Sequence, residues 1–152
     1  MAKNTIKLKK YSDVIEEYVA AGTITPGMLL EFTSAGKVQA HATADNEVVP
    51  LIALEDELQG NGIDDDYSSD DQVQCWIPYP GDEAYMILQD GQDISIGDFL
   101  QSNGDGTLKA DAGGASKFMA LEALDLSGSS GEEESGALGY NKRIKVKIIA
   151  GV

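Results

Sequence analysis

Apolar residues along this chain fall in short runs rich in Val, Ile, Leu, Tyr and Phe, each closed by a cluster of Gly, Pro, Asp or Asn. That is the strand-and-turn pattern, and sustained helical periodicity is scarce. Strands are predicted over Ile6 to Lys9, Glu16 to Ala20, Met28 to Thr33, Lys37 to His41, Pro50 to Glu55, Gln72 to Ile77, Ala84 to Leu88, Phe99 to Ser102, Thr107 to Ala110, Lys117 to Ala123 and Arg143 to Ile149. Tyr11 to Tyr18 alone competes as a short helix, and its start signal is weak.

The runs repeat. At a constant offset of 70, Ile24-Thr25-Pro26-Gly27-Met28-Leu29-Leu30 matches Ile94-Ser95-Ile96-Gly97-Asp98-Phe99-Leu100. Gly36 then aligns with Gly106, Val38 with Leu108, Ala40 with Ala110 and Ala42 with Ala112 without an insertion. After a three-residue deletion, Ile52-Ala53-Leu54-Glu55 aligns with Met119-Ala120-Leu121-Glu122. Gly27 and Gly97 share one turn position and Gly36 and Gly106 another, where glycine serves a positive φ or a place with no room for Cβ. Each copy reads as turn, strand, Gly-containing hairpin turn, strand, and a crossing to an apolar strand ending in Leu-Glu. The expected fold is all-β: a compact β-barrel or sandwich built from two pseudo-symmetric hairpin units, at about 24–55 and 94–122. Two copies are too few for a stacked solenoid.

Length and charge refine this picture. The 152 residues suit one domain, and an apolar content of 42% supplies a core. The formal charge is −15 and unevenly placed. Lys3, Lys7, Lys9 and Lys10 lie at one end and Lys142, Arg143, Lys145 and Lys147 at the other, together +8, while residues 11–141 hold three cations against 26 carboxylates, net −23. Such acidity repels phosphate backbones and anionic membranes, so neither nucleic acid nor a membrane is an expected partner. The basic ends suit an acidic surface, either the body of the same chain or a neighbouring subunit. Residues 1–12 are expected to form an extended basic N-terminal arm, with Lys3, Ile6, Lys7, Leu8, Lys9, Lys10 and Tyr11 as its contact residues, and residues 13–152 a single β domain. Gln59 to Asp71 reads as a long acidic loop, and the Ser-, Gly- and Glu-rich stretch at about 126–140 as a flexible one. No run approaches the length of a membrane span and no apolar signal core follows the first lysines, so a soluble protein made in a reducing cytoplasm is expected.

Candidate chemistry changes the picture little. One His and one Cys exclude the common zinc sets, and Walker-type and dinucleotide-binding glycine patterns are missing. A hydrolytic triad would have to combine His41 with Cys75 or a serine, but His41 ends a repeated strand and its repeat partner is Asp111, so it reads as a solvent-facing or hydrogen-bonded histidine. Cys75, between Gln74 and Trp76, reads as a small buried side chain. Asn103-Gly104-Asp105-Gly106 fails as an EF-hand, because Gln101 and Ala112 take the first and twelfth ligand positions. Asp64, Asp65, Asp66, Asp70 and Asp71 form either a plain acidic loop or a site for a hard divalent cation. Trp76, Tyr79 and Tyr85 read as core packing, with interface anchoring as the alternative. No enzyme activity, cofactor or metal is expected.

A long ordered constellation carries a resemblance: Ile24-Thr25-Pro26-Gly27, Leu51-Ile52-Ala53-Leu54-Glu55, Leu58-Gln59-Gly60-Asn61-Gly62-Ile63-Asp64-Asp65 with Tyr67, Pro80-Gly81-Asp82-Glu83, and Asp90-Gly91-Gln92-Asp93-Ile94-Ser95-Ile96-Gly97-Asp98-Phe99-Leu100. Over roughly residues 14 to 149 the chain resembles the head decoration (cement) proteins of tailed bacteriophages. The resemblance implies a mostly β structural protein on the outer surface of the phage head, made in the host bacterial cytoplasm. It implies the major capsid protein as partner and a small homo-oligomer, a homotrimer before a dimer, that stabilises contacts between capsomers. The competing expectation is a virion-displayed module that binds a host surface or glycan through loops 59–71 and 126–139.

Overall fold

The computed structural model of the chain describes residues 3–11, 13–46, 49–113, 116–127 and 142–149; the loop expected to be flexible falls outside them from residue 128 onward. Among the described residues the regular structure is nearly all strand: β1 (Lys7–Lys9), β2 (Ile15–Val19), β3 (Leu30–Phe32), β4 (Val38–Ala40), β5 (Ile52–Ala53), β6 (Gln72–Trp76), β7 (Glu83–Ile87), β8 (Asp93–Ile94), β9 (Phe99–Ser102), β10 (Leu108–Ala110), β11 (Phe118–Ala120), β12 (Leu124–Asp125) and β13 (Arg143–Ile148). A single 3-10 turn, Glu57–Gln59, interrupts them and ends on Gly60 in the left-handed region. No helix forms over the described part of Tyr11 to Tyr18, because β2 is held as a strand by a five-residue antiparallel ladder to β6. Each predicted strand overlaps an observed one, and β2 and β7 begin one residue earlier than expected. The short pair β8 and β12, joined at Leu124–Ile94, was not predicted, since two residues carry no readable period.

The duplication is larger than the two hairpins. Hairpin β3–β4 pairs Leu30 with Ala40 and Phe32 with Val38, and β9–β10 pairs Leu100 with Ala110 and Ser102 with Leu108, the same register in both copies. The Leu29–Ile52 bridge recurs as Phe99–Met119, Ala53–Cys75 as Ala120–Val146, and Val19–Gln72 as Ile87–Arg143. Two five-strand units follow: unit one is β2 to β6, and unit two is β7, β9, β10, β11 and β13. Each unit curls until the end of its first strand touches its third at one parallel bridge, Ala20–Val38 or Leu88–Leu108. One bridge is not a ladder, so neither unit closes as a barrel and the architecture is sandwich-like.

The side-chain alternation of β5 and β6 makes them a wall with an apolar surface on both sides. Leu51, Ala53, Val73 and Cys75 line the core of unit one. Ile52, Leu54 and Trp76, with Leu29, join the core of unit two, alongside Met86, Leu100, Phe118, Val146 and Ile148. Trp76 is fully buried, and burial of each such side chain contributes about 1.5–3 kcal/mol.

Unit two docks on unit one head to tail. The Gly106 turn donates its N–H to the His41 carbonyl and accepts from Leu29 N–H at 2.9 Å. A Cβ at Gly106 would meet Ala40 Cβ at 3.0 Å and Met28 Cγ at 3.1 Å, and one at Gly27 would meet Arg143 Nε at 3.1 Å and the Tyr85 carbonyl at 3.2 Å. The buried Arg143 donates from Nε and Nη2 to the Pro26 carbonyl, from Nη2 to the Ile63 carbonyl, and from Nη1 to Asp64 at 3.0 Å. The equivalent glycines behave differently: Gly36 and Gly97 also have positive φ, but nothing lies within 4 Å of a Cβ there.

Alanine at these four glycines separates the two roles. Gly36→Ala and Gly97→Ala should each cost about 1 kcal/mol, the left-handed backbone alone. Gly27→Ala and Gly106→Ala should cost roughly 2–4 kcal/mol, because overpacking adds to strain. Urea unfolding of the four variants measures this, and equal costs would contradict the docking. Arg143→Met strands two buried carbonyls and should cost about 2–4 kcal/mol in the same assay.

Candidate functional site

Strand order brings the two basic ends of the chain together. In the six-stranded sheet β1-β7-β13-β11-β9-β10, the N-terminal and C-terminal strands flank β7, so Lys9 lies across from Glu83 and Glu83 across from Lys147. Glu83, mostly buried, is shared by Lys9, Lys145 and Lys147, each at 3.9 Å. Asp13 pairs with Lys7 at 2.8 Å and Lys10 at 2.7 Å. The hydrogen bond from Lys10, then that from Lys7, holds the Asp13 carboxyl below its ordinary value, and the same bond raises Lys10. A depressed carboxyl favours this packing at neutral pH, and the contribution is lost as pH falls through the carboxylate range. Five lysines thus gather on one face of an acidic chain, with their own carboxylates as ion partners.

A shallow cleft of about 470 Å³ opens in this face, lined by Lys9, Lys10, Tyr11, Gly81, Glu83 and Lys147. Tyr11 is 82% exposed, and its ring lies on Gly81, where a Cβ would meet it at 3.1 Å. The buried Asp82 fixes the rim by accepting the backbone N–H groups of Tyr11 at 2.6 Å and Tyr79 at 2.9 Å, so two exposed tyrosines flank the lysines. Tyrosine beside basic groups over a rigid backbone is the composition of binding hot spots. The rest of the outer face continues this row apolar, from Lys147 across to Met119 and on to Phe99.

Of the expected arm residues, Lys9, Lys10 and Tyr11 line the cleft, Lys7 is held by Asp13, Lys3 is exposed and Leu8 is half-buried. Ile6 goes elsewhere: it is fully buried in the core, and its N–H bonds Glu55 at 3.2 Å. The segment is extended, but it is docked on its own chain rather than free, because β7 would otherwise present an unpaired edge. Trp76 is core, Tyr79 is exposed, and Tyr85 is half-buried with its hydroxyl pKa raised by burial.

The carboxylates of the acidic loop are spent on separate contacts. Asp64 serves Arg143, Asp65 accepts from Gly62 N–H, Asp70 pairs with Lys37 and Asp71 accepts from Ser68 N–H. Among the described residues no group of three or more His, Cys, Asp or Glu side chains is placed to hold a metal ion. His41 is buried with Nδ1 2.7 Å from Ser102 Oγ and Nε2 3.7 Å from Glu31 Oε2. This Ser-His-Glu set does not make a nucleophile: Ser102 is 1% exposed and its Oγ accepts the Gly104 N–H, so no substrate carbonyl reaches it. The trio instead ties the β9–β10 hairpin to unit one, a role sequence spacing does not reveal. Cys75 is fully buried, and desolvation pushes its thiol up to about 12.

The candidate site is therefore an open, basic and aromatic surface on a duplicated β scaffold. No protein-family model matches the chain, and no curated protein matches it. Among solved structures it is similar to the N base of the head fiber protein gp8.5 of bacteriophage phi29: TM-score 0.57, 16% identity, covering 90% of this chain and 94% of that one. The likeness establishes a shared fold along nearly the whole of both chains.

Because Cys75 is both inaccessible and held as the thiol, a thiol reagent at pH 8 should label the native protein at least about a hundredfold more slowly than the urea-unfolded one. Equal rates would show that unit one opens readily.

Proposed function

We propose that this protein is a non-catalytic structural component of a tailed-phage virion that binds the outside of the expanded capsid and stabilises contacts between capsomers. The observation that carries the reading is the cleft of Lys9, Lys10, Tyr11 and Lys147 on a chain of net charge −15, a local surface suited to an acidic protein partner. Support for the setting comes from a fold shared with the base of a phage head fiber protein. The partner in this reading is the major capsid protein, and the protein associates with itself as a homotrimer or, second, a dimer. A subunit that binds only the assembled lattice stabilises it by mass action, and many moderate sites add up over a shell. Exposed tyrosines supply the apolar contact and the lysines the orientation, so binding weakens as salt rises.

The test is co-sedimentation with empty expanded capsids. The variant Lys9→Glu/Lys10→Glu/Tyr11→Ala leaves Ile6 in the core, unlike deletion of residues 2–10, which would unfold what it sets out to probe. It should lower occupancy at least about tenfold and lower the melting temperature of the decorated shell. Unchanged occupancy would overturn the assignment of this surface. Glycan or cell-surface binding by the isolated protein, without binding to shells, would favour a receptor-facing module instead.

A further inference from the structure

The two units are built alike but finished differently, and the difference falls on surfaces that meet each other inside the chain. Unit one offers Pro26, Leu29, Ile52 and Leu54 to unit two, and all are buried. The equivalent positions on unit two are Ile96, Phe99, Met119 and Leu121; Ile96 is 71% and Phe99 49% exposed, and the other two are half-buried. Conversely, unit two receives unit one with an interior that includes Met86, Leu100, Phe118 and Ile148, all buried. Their equivalents Tyr18, Leu30, Leu51 and Ile77 line an open, mainly apolar pocket of about 250 Å³, rimmed by Phe32 and Val49, which are 53% and 81% exposed. The Gly106 turn that clasps unit one likewise has a bare counterpart in the Gly36 turn.

We infer that copies of this chain associate head to tail by repeating the internal interface: the Ile96–Phe99 face of unit two in one copy seats on the Tyr18, Leu30, Leu51 and Ile77 pocket of unit one in the next. The Gly36 turn of the second copy then lies over Ala110 and Asp111 of the first, as the Gly106 turn lies over Ala40 and His41 within the chain. The occupant is a second copy because the chain already contains this interface once, and its two open halves are the two halves of the same contact. Such an interface is heterologous, so it propagates until a ring closes. It rests on the self-association part of the function proposed above and not on the shell-binding part: Lys9, Lys10 and Tyr11 lie outside it, and of the cleft lysines Lys147 alone, paired with Met119, borders it.

Two measurements on the full chain test it. Sedimentation across a concentration series should show an oligomer, and Ile96→Asp/Phe99→Asp should weaken its association at least about a hundredfold; both side chains are exposed, so the melting temperature of the isolated protomer should hold. The variant Gly36→Cys/Ala110→Cys should give a ladder of disulfide-linked species on oxidation, and a mixture of the two single variants a linked dimer only. Within the chain the matching positions are Gly106 and Ala40, where a Cβ added at Gly106 would stand 3.0 Å from that of Ala40, near disulfide range. Cys75, fully buried, stays out of the reaction. A monomer at every concentration overturns the inference, as does an oligomer insensitive to the Ile96/Phe99 change and without cross-links. A monomer that loses shell binding through that change assigns the face to the capsid and overturns it too. A monomer that still binds shells overturns this interface alone.

Discussion

The guanidinium of Arg143 reaches from β13 to the Pro26 carbonyl, and Gly27 beside it lets the two halves of the molecule approach to backbone distance. A side chain at Gly27 would push against Arg143 and the Tyr85 carbonyl together, so the contact tolerates no Cβ. Through Asp64 and the Ile63 carbonyl, the same arginine also fixes the start of the acidic loop. A buried cation is costly unless its donors are met, and here one residue meets three acceptors from two separate segments. The orientation of unit two on unit one, and with it the position of every surface residue on one unit relative to the other, follows from that meeting.

Duplication gives a chain two copies of one shape in two environments. Head-to-tail docking cannot satisfy both copies equally, because each unit has a wall to offer and an interior to cover, and only one wall and one interior meet inside the chain. Leu29 and Phe99 show the result: the same turn, the same bridge partner position, one at 0% and the other at 49% exposure. Large exposed apolar side chains on a monomer's surface are informative when they cluster. Here four of them, Phe32, Val49, Ile96 and Phe99, fall at the two unmatched ends.

The charge pattern acquires meaning through the sheet. In a chain this acidic, single lysines would be neutralised by whatever carboxylate lay nearby. Placing β1 and β13 on either side of β7 concentrates Lys9, Lys145 and Lys147 around one shared Glu83, so the face stays basic while the rest of the body stays acidic. Asp82 then turns Tyr11 and Tyr79 outward by binding their backbone. These hydrogen bonds hold the backbone of the surface in place, which limits the ordering entropy lost on binding.

Much of this architecture was legible in the order of residues. Turn chemistry and alternation located the strands, and the aligned pairs Gly27/Gly97 and Gly36/Gly106 marked backbone positions that all prove to have positive φ. These are local properties, set by a residue and its near neighbours. What a linear reading missed were the consequences of docking: Ile6 in the core rather than on an arm, Phe99 exposed where its partner Leu29 is buried, Ser102 beside His41, and two distant basic ends in one patch. Periodicity tells that a side chain faces away from its own strand's solvent side, but not which other unit, if any, lies there. That choice is made by pairs of residues far apart in the chain, and no spacing between neighbours encodes it.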